Sequence, residues 1–122
     1  MSTVEDLTAT VRRFAEEREW EPFHTPKNLA MALSGEVGEL VSQLQWLTAD
    51  ESSSIMERPA EAARVRAEIG DVMIYLVRLC DVLGIDPVAA AQEKLAEAGS
   101  RYTVEVARGS AAKVPVNTPD EL

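Results

Sequence analysis

Between residues 25 and 47, Leu29, Leu33, Val37, Leu40, Val41, Leu44 and Leu47 recur at three- and four-residue spacing. That spacing follows the 3.6-residue turn of an α-helix and gathers the apolar side chains into one stripe. Thr25 offers a capping oxygen and Pro26 a preset φ at the first helical position, so a long helix is predicted to start there. A second stripe, Val65, Ile69, Val72, Met73, Leu76, Val77, Cys80 and Leu83, predicts another long helix from near Pro59 to a stop at Gly84. Helices with such wide apolar faces must cover them with other helices. Two shorter segments qualify. One runs from Thr3 to about Glu19, with Ser2 or Thr3 as cap and Val4, Leu7, Val11 and Phe14 on its apolar side; the other opens with Asp86-Pro87 and continues to about Arg101.

The prediction is therefore an all-α protein, a four-helix bundle. The helical domain covers residues 1–102 and an irregular tail covers 103–122, in which "TVEVA" reads as a short extended piece. The prolines of "WEPFHTP" and the serines of "TADESSSIMERP" mark the two loops between the first three helices. The chain of 122 residues suits one domain.

Charge and composition then exclude several classes. The formal net charge is −9, which argues against a broad basic surface for nucleic acid or an anionic membrane. The longest apolar run, "VMIYLV", is far short of the roughly 20 residues of a membrane span. The N-terminus is neither basic nor apolar enough for a signal peptide. The single cysteine, Cys80, forms no intrachain disulfide and fits a reduced, cytoplasmic setting.

Four acids break the apolar pattern. Glu36 and Glu39 lie three residues apart in the second helix, and Glu68 and Asp71 repeat that spacing in the third. Each pair shares a helix side. Four carboxylates facing one another between helices repel, and desolvation adds several kcal/mol per ion. A divalent cation relieves both effects. Oxygen-only donors select Mg²⁺, with Mn²⁺ as the alternative, and Mg²⁺ keeps positions for water and substrate phosphates. A di-iron bundle needs Glu-x-x-His on two helices, and the one histidine, His24, lies in a loop. Gly35, Gly38 and Gly70 flank the acids, where they are expected to let helix backbones approach closely.

ExxE, then residues 40 to 67, then ExxD resembles the signature of the MazG-like all-α nucleoside triphosphate pyrophosphohydrolases. "REWEPFHTPKNLAMALSGEVGELVSQLQW" and "EIGDVMIYLVRL" are similar, nearly residue for residue, to the dCTP pyrophosphatase branch, and the likeness covers residues 10 to 102. The resemblance implies that Glu36, Glu39, Glu68 and Asp71 hold Mg²⁺. It implies attack of water on the α-phosphate of a nucleoside triphosphate, releasing pyrophosphate, with Glu36 or Glu39 as the base. It places Trp20, Glu21, Phe23, His24, Trp46 and Tyr75 around the nucleobase, Lys94 near the phosphates, and Lys27 and Asn28, which follow the loop, among the substrate-binding residues. Both tryptophans stand at helix ends, where flat aromatic faces suit stacking on a base. Relatives assemble as dimers or tetramers whose pockets include residues of a neighbouring chain, so a homo-oligomer is expected. Three family positions differ here: Val11 stands for a base-reading histidine, Ala98 for an asparagine, and Thr103 for the proline of a Tyr-Pro pair. The alternative is a nucleotide- or metal-binding helical module without turnover.

Overall fold

The computed structural model describes residues 3–116. Six α-helices occur among them, with no strand: α1 Val4–Glu17, α2 Pro26–Ser42, α3 Ala49–Ser53, α4 Pro59–Leu83, α5 Pro87–Arg101 and α6 Val104–Ala107. The chain divides after Ile85 into two compact units.

In the first unit α4 packs against both α1 and α2. Two side-chain contacts fix the direction of α2 on α4. Arg64, early in α4, donates to Gln43 just past the end of α2 at 3.3 Å. Arg78, late in α4, donates to His24 just before the start of α2 at 3.0 Å. The two helices are thus antiparallel. Ala15, Leu29, Ile55, Val65, Val77 and Cys80 form the buried core.

Local chemistry explains the helix ends. Thr3 and Asp6 form a reciprocal capping box on α1, and Thr25 caps α2 through the Asn28 N–H. Helix α1 closes with backbone bonds from Glu19 N–H to Glu16 and from Trp20 N–H to Ala15, and Glu19 takes φ 55°. This is a left-handed helix stop made without glycine. Gly84, at φ 71°, does the same for α4.

Four predicted features are corrected. Helix α2 ends at Ser42 rather than Leu47, and Leu44 and Leu47 stay half-buried in the turns that follow. The stretch read as the loop "TADESSSIMERP" contains α3, set by a Thr48–Glu51 capping box, and a single tight turn at Ile55–Glu57 that buries Ile55. "TVEVA" is the helix α6 rather than an extended piece, because Thr103 accepts from the Val106 N–H. The glycines do not serve close approach within the chain, since a Cβ at Gly35, Gly38 or Gly70 would meet no atom within 4 Å.

The second unit begins with Asp86, whose carboxylate accepts from the N–H groups of Val88 and Ala89. Its later part is tied back at Val114. Arg101 donates to the Val114 carbonyl, and the Tyr102 hydroxyl accepts from the Val114 N–H at 2.8 Å. Residues 117–122 of the predicted tail lie outside the described residues.

Candidate active site

The antiparallel pairing of α2 and α4 brings mid-helix acids of both into one cluster. One carboxylate oxygen from each of Glu36, Glu39 and Glu68 lies within 4.8 Å of the others. Glu36 and Glu68 are half-buried and Glu39 is exposed. The Glu68 Oε2 atom is buried and has no hydrogen-bond partner among the described residues. An orphaned carboxylate oxygen in an acidic cluster is expensive to keep. Burial pushes the Glu68 carboxyl above its ordinary range, and the negative charges of Glu39, Asp71 and Glu36 push it further. Glu36 is raised for the same reasons: burial first, then Asp71 and Glu39. Asp71 therefore acts on both electrostatically while standing exposed, outside the group of three.

The donor set is all carboxylate oxygen. Two oxygens on opposite sides of a Mg²⁺ ion are separated by about 4.2 Å, twice the metal–oxygen distance. The observed spacing and the orphaned Glu68 oxygen fit a hard divalent cation.

The loop before α2 forms a second feature. The Trp20 ring meets Phe14 edge-on at 5.7 Å and the His24 ring at 5.8 Å. Residues Glu21–Phe23 make one tight turn, and the Phe23 ring is 65% exposed. Asn28 donates its side-chain amide to the Phe23 carbonyl at 3.0 Å, so this residue holds the loop's shape. Lys27 is exposed at the start of α2, and Tyr75 is half-buried on α4, one turn past Asp71. Lys94 belongs to α5, in the second unit, where it pairs with Glu97 at 3.0 Å.

Trp46 follows the opposite end of α2 and is 86% exposed. Seventeen residues of α2, about 25 Å of helix, lie between the Trp20 loop and the Trp46 turn. One chain therefore does not bring these two rings onto the same base.

Sequence reasoning missed a chain of charges behind this loop. Arg78 is 6% exposed. Its Nε donates to His24 Nδ1 at 3.0 Å and its Nη1 to Asp81 at 3.2 Å. Asp81 also takes a two-pronged contact from Arg12 of α1. The one available signal was an arginine inside the apolar run "YLVRLC". Buried charges are kept only when paired, so such an arginine announces an unseen partner.

No family model matches the chain. It is 42% identical over 111 residues to dCTP pyrophosphatase 1 of Rattus norvegicus, covering 91% of this chain and 65% of that protein. It is 41% identical over 111 residues to dCTP pyrophosphatase 1 of Homo sapiens, again covering 91% and 65%. The chain thus spans about two thirds of the length of these curated relatives. The crystal structure of a pyrophosphatase from Archaeoglobus fulgidus superposes with a TM-score of 0.77 at 39% identity, covering 84% of this chain and 94% of that one. With these likenesses, an all-helical architecture and paired mid-helix acids, the chain belongs to the MazG-like pyrophosphatase family, alongside the dCTP pyrophosphatases.

Proposed function

We propose that this chain is a Mg²⁺-dependent pyrophosphohydrolase that cuts a nucleoside triphosphate, dCTP or a modified pyrimidine deoxynucleotide, to the monophosphate and pyrophosphate. The observation that carries the reading is the convergence of Glu36, Glu39 and Glu68 on one point, with a buried Glu68 oxygen that has no hydrogen-bond partner among the described residues. The names of the relatives, dCTP pyrophosphatase and pyrophosphatase, support the substrate class.

In this reading the three glutamates hold the cation, and Asp71 stands next to them as a further ligand. When bound, Mg²⁺ neutralises phosphate oxygens and makes a bound water more acidic. Glu36 or Glu39 takes the proton of the water that attacks the α-phosphate. Lys27 supplies positive charge toward the phosphates. The Trp20, Glu21, Phe23 and His24 loop and Tyr75 receive the base. Because α2 separates Trp46 from that loop, the Trp46 that completes the pocket comes from a second copy. Support for a homo-oligomer lies in Ile69, Leu76 and Leu83, spaced seven apart on α4 and all exposed. Val37 and Val41 add an exposed apolar pair on α2. In this reading the protein acts on the cytoplasmic nucleotide pool.

Pyrophosphate release over a panel of nucleotides with Mg²⁺ tests the reading. Turnover is expected on pyrimidine deoxynucleotides, and it should disappear in Glu39→Ala. Absence of turnover on every nucleotide refutes it. A nucleotide-induced rise in Tm without hydrolysis would instead identify a binding module.

A further inference from the structure

His24 is the single histidine of the chain. Its Nδ1 faces the Nε–H of Arg78 at 3.0 Å. A guanidinium donates and never accepts, and it does not lose its proton in proteins. Nδ1 must therefore be the acceptor, and the one proton of the neutral ring sits on Nε2. Burial holds the His24 pKa below its usual value and the positive charge of Arg78 adds to this, while Glu21 opposes both. The neutral ring is accordingly the form present at pH 7.

Arg78 is itself fixed. It is buried, its Nη1 lies 3.2 Å from an Asp81 oxygen, and Arg12 holds Asp81 from α1 with an Nε contact of 2.8 Å. The connection runs from α1 through the end of α4 to the loop before α2. Among the described residues the Nδ1 bond is the only hydrogen bond of the His24 ring. The ring also stands edge-on to Trp20 at 5.8 Å.

We infer that Arg78 is a positioning residue that locks His24 as a neutral Nε2–H donor, so that the aromatic loop reads a hydrogen-bond acceptor on its ligand. Suitable acceptors are a base carbonyl oxygen or an unprotonated ring nitrogen. A base edge that offers only N–H groups finds no partner at this position. The inference rests on the reading above, in which the His24 loop receives the nucleobase.

Long-range ¹H–¹⁵N NMR at pH 7 decides the tautomer, and one histidine makes the signals unambiguous. The wild-type chain should show Nε2 protonated and Nδ1 bare. A ring protonated at Nδ1, or an even mixture, overturns the inference. Arg78→Met should yield mixed tautomers. It should raise the KM for nucleotide about five- to tenfold, the loss of one well-placed hydrogen bond, with kcat within about twofold. In a His24→Ala background Arg78→Met should add no further loss; an additive loss, or one confined to kcat, contradicts the positioning role. If Arg78→Met does not fold, Arg78→Lys serves: it keeps the charge, but one ammonium cannot reproduce both contacts. Nucleotide titration followed by tryptophan fluorescence separates the two readings. An inert wild type with the Nε2–H tautomer, and weaker nucleotide binding in the variant, removes the enzyme function and keeps the positioning role. Turnover with the wrong tautomer does the reverse.

Discussion

Replacing Glu68 by Gln tests the acidic cluster from two sides. The substitution keeps shape, removes one negative charge and gives the buried Oε2 position an N–H₂ group or a neutral oxygen. Without metal, the wild-type cluster carries a burial penalty and mutual repulsion at Glu36 and Glu68, both raised above the ordinary carboxyl range. A carboxyl whose folded pKa exceeds its unfolded value lowers stability at high pH. That loss is removed as pH falls through the folded value, and is gone below the unfolded one. The metal-free wild type should therefore melt higher as pH drops from 7.5 toward 5. The metal-free variant should melt above wild type at pH 7.5, with a shallower pH dependence. Mg²⁺ should reverse the order. A ligand at 100 times its Kd stabilises by about 2.7 kcal/mol, which for a chain of this size raises Tm by about 10 °C. Wild type should show that rise, and Glu68→Gln should show less than about a fifth of it. Differential scanning fluorimetry with and without Mg²⁺, at several pH values, reads both effects. A metal-free variant that melts below wild type, or an undiminished Mg²⁺ shift, would refute the reasoning.

Three further outcomes follow from the same structure. Gly38→Ala should stabilise the chain by about 1 kcal/mol, because alanine favours helix and its Cβ meets open space; a loss of stability or of assembly would show that another copy occupies that space. Leu29→Ala should cost about 2–5 kcal/mol in urea unfolding, since Leu29 is 1% exposed and its removal leaves a cavity. Hydrogen bonding from Arg12 holds the Asp81 carboxyl below its ordinary 3.8 against the opposing effect of burial. The stability it gives is present above that value and lost as pH falls through the lower folded one, so Asp81→Asn should flatten the decline in Tm below about pH 4.

The legible parts of the fold were those whose chemistry is local. Pro59, Gly84 and the Asp86-Pro87 pair marked both ends of α4 and the start of α5, because caps and stops act within one turn. The apolar stripe of α2 overran its end, since Leu44 and Leu47 remain half-buried in non-helical turns and periodicity records burial rather than backbone. "TVEVA" misled through its β-branched residues, whose preference for extended backbone is weaker than the Thr103 cap at a short segment. The Thr48–Glu51 capping box of α3 was visible in the sequence but masked by the serines beside it. In the site, i, i+3 spacing put each acidic pair on one face. It could not say which oxygens converge, and Asp71 stays outside the three that do. Arg78 stood out in its apolar run, but its partner did not: His24 lies 54 residues away and only the antiparallel register of α2 and α4 joins them.

In the proposed function this acidic cluster directs water onto the α-phosphate of a nucleotide. Hydrolysis of dCTP in ¹⁸O-labelled water with Mg²⁺, with the products separated and weighed by mass spectrometry, tests it most directly. One ¹⁸O is expected in the monophosphate, none in the pyrophosphate, and no reaction in Glu39→Ala. Label in the pyrophosphate, release of inorganic phosphate instead, or full activity in Glu39→Ala would contradict it.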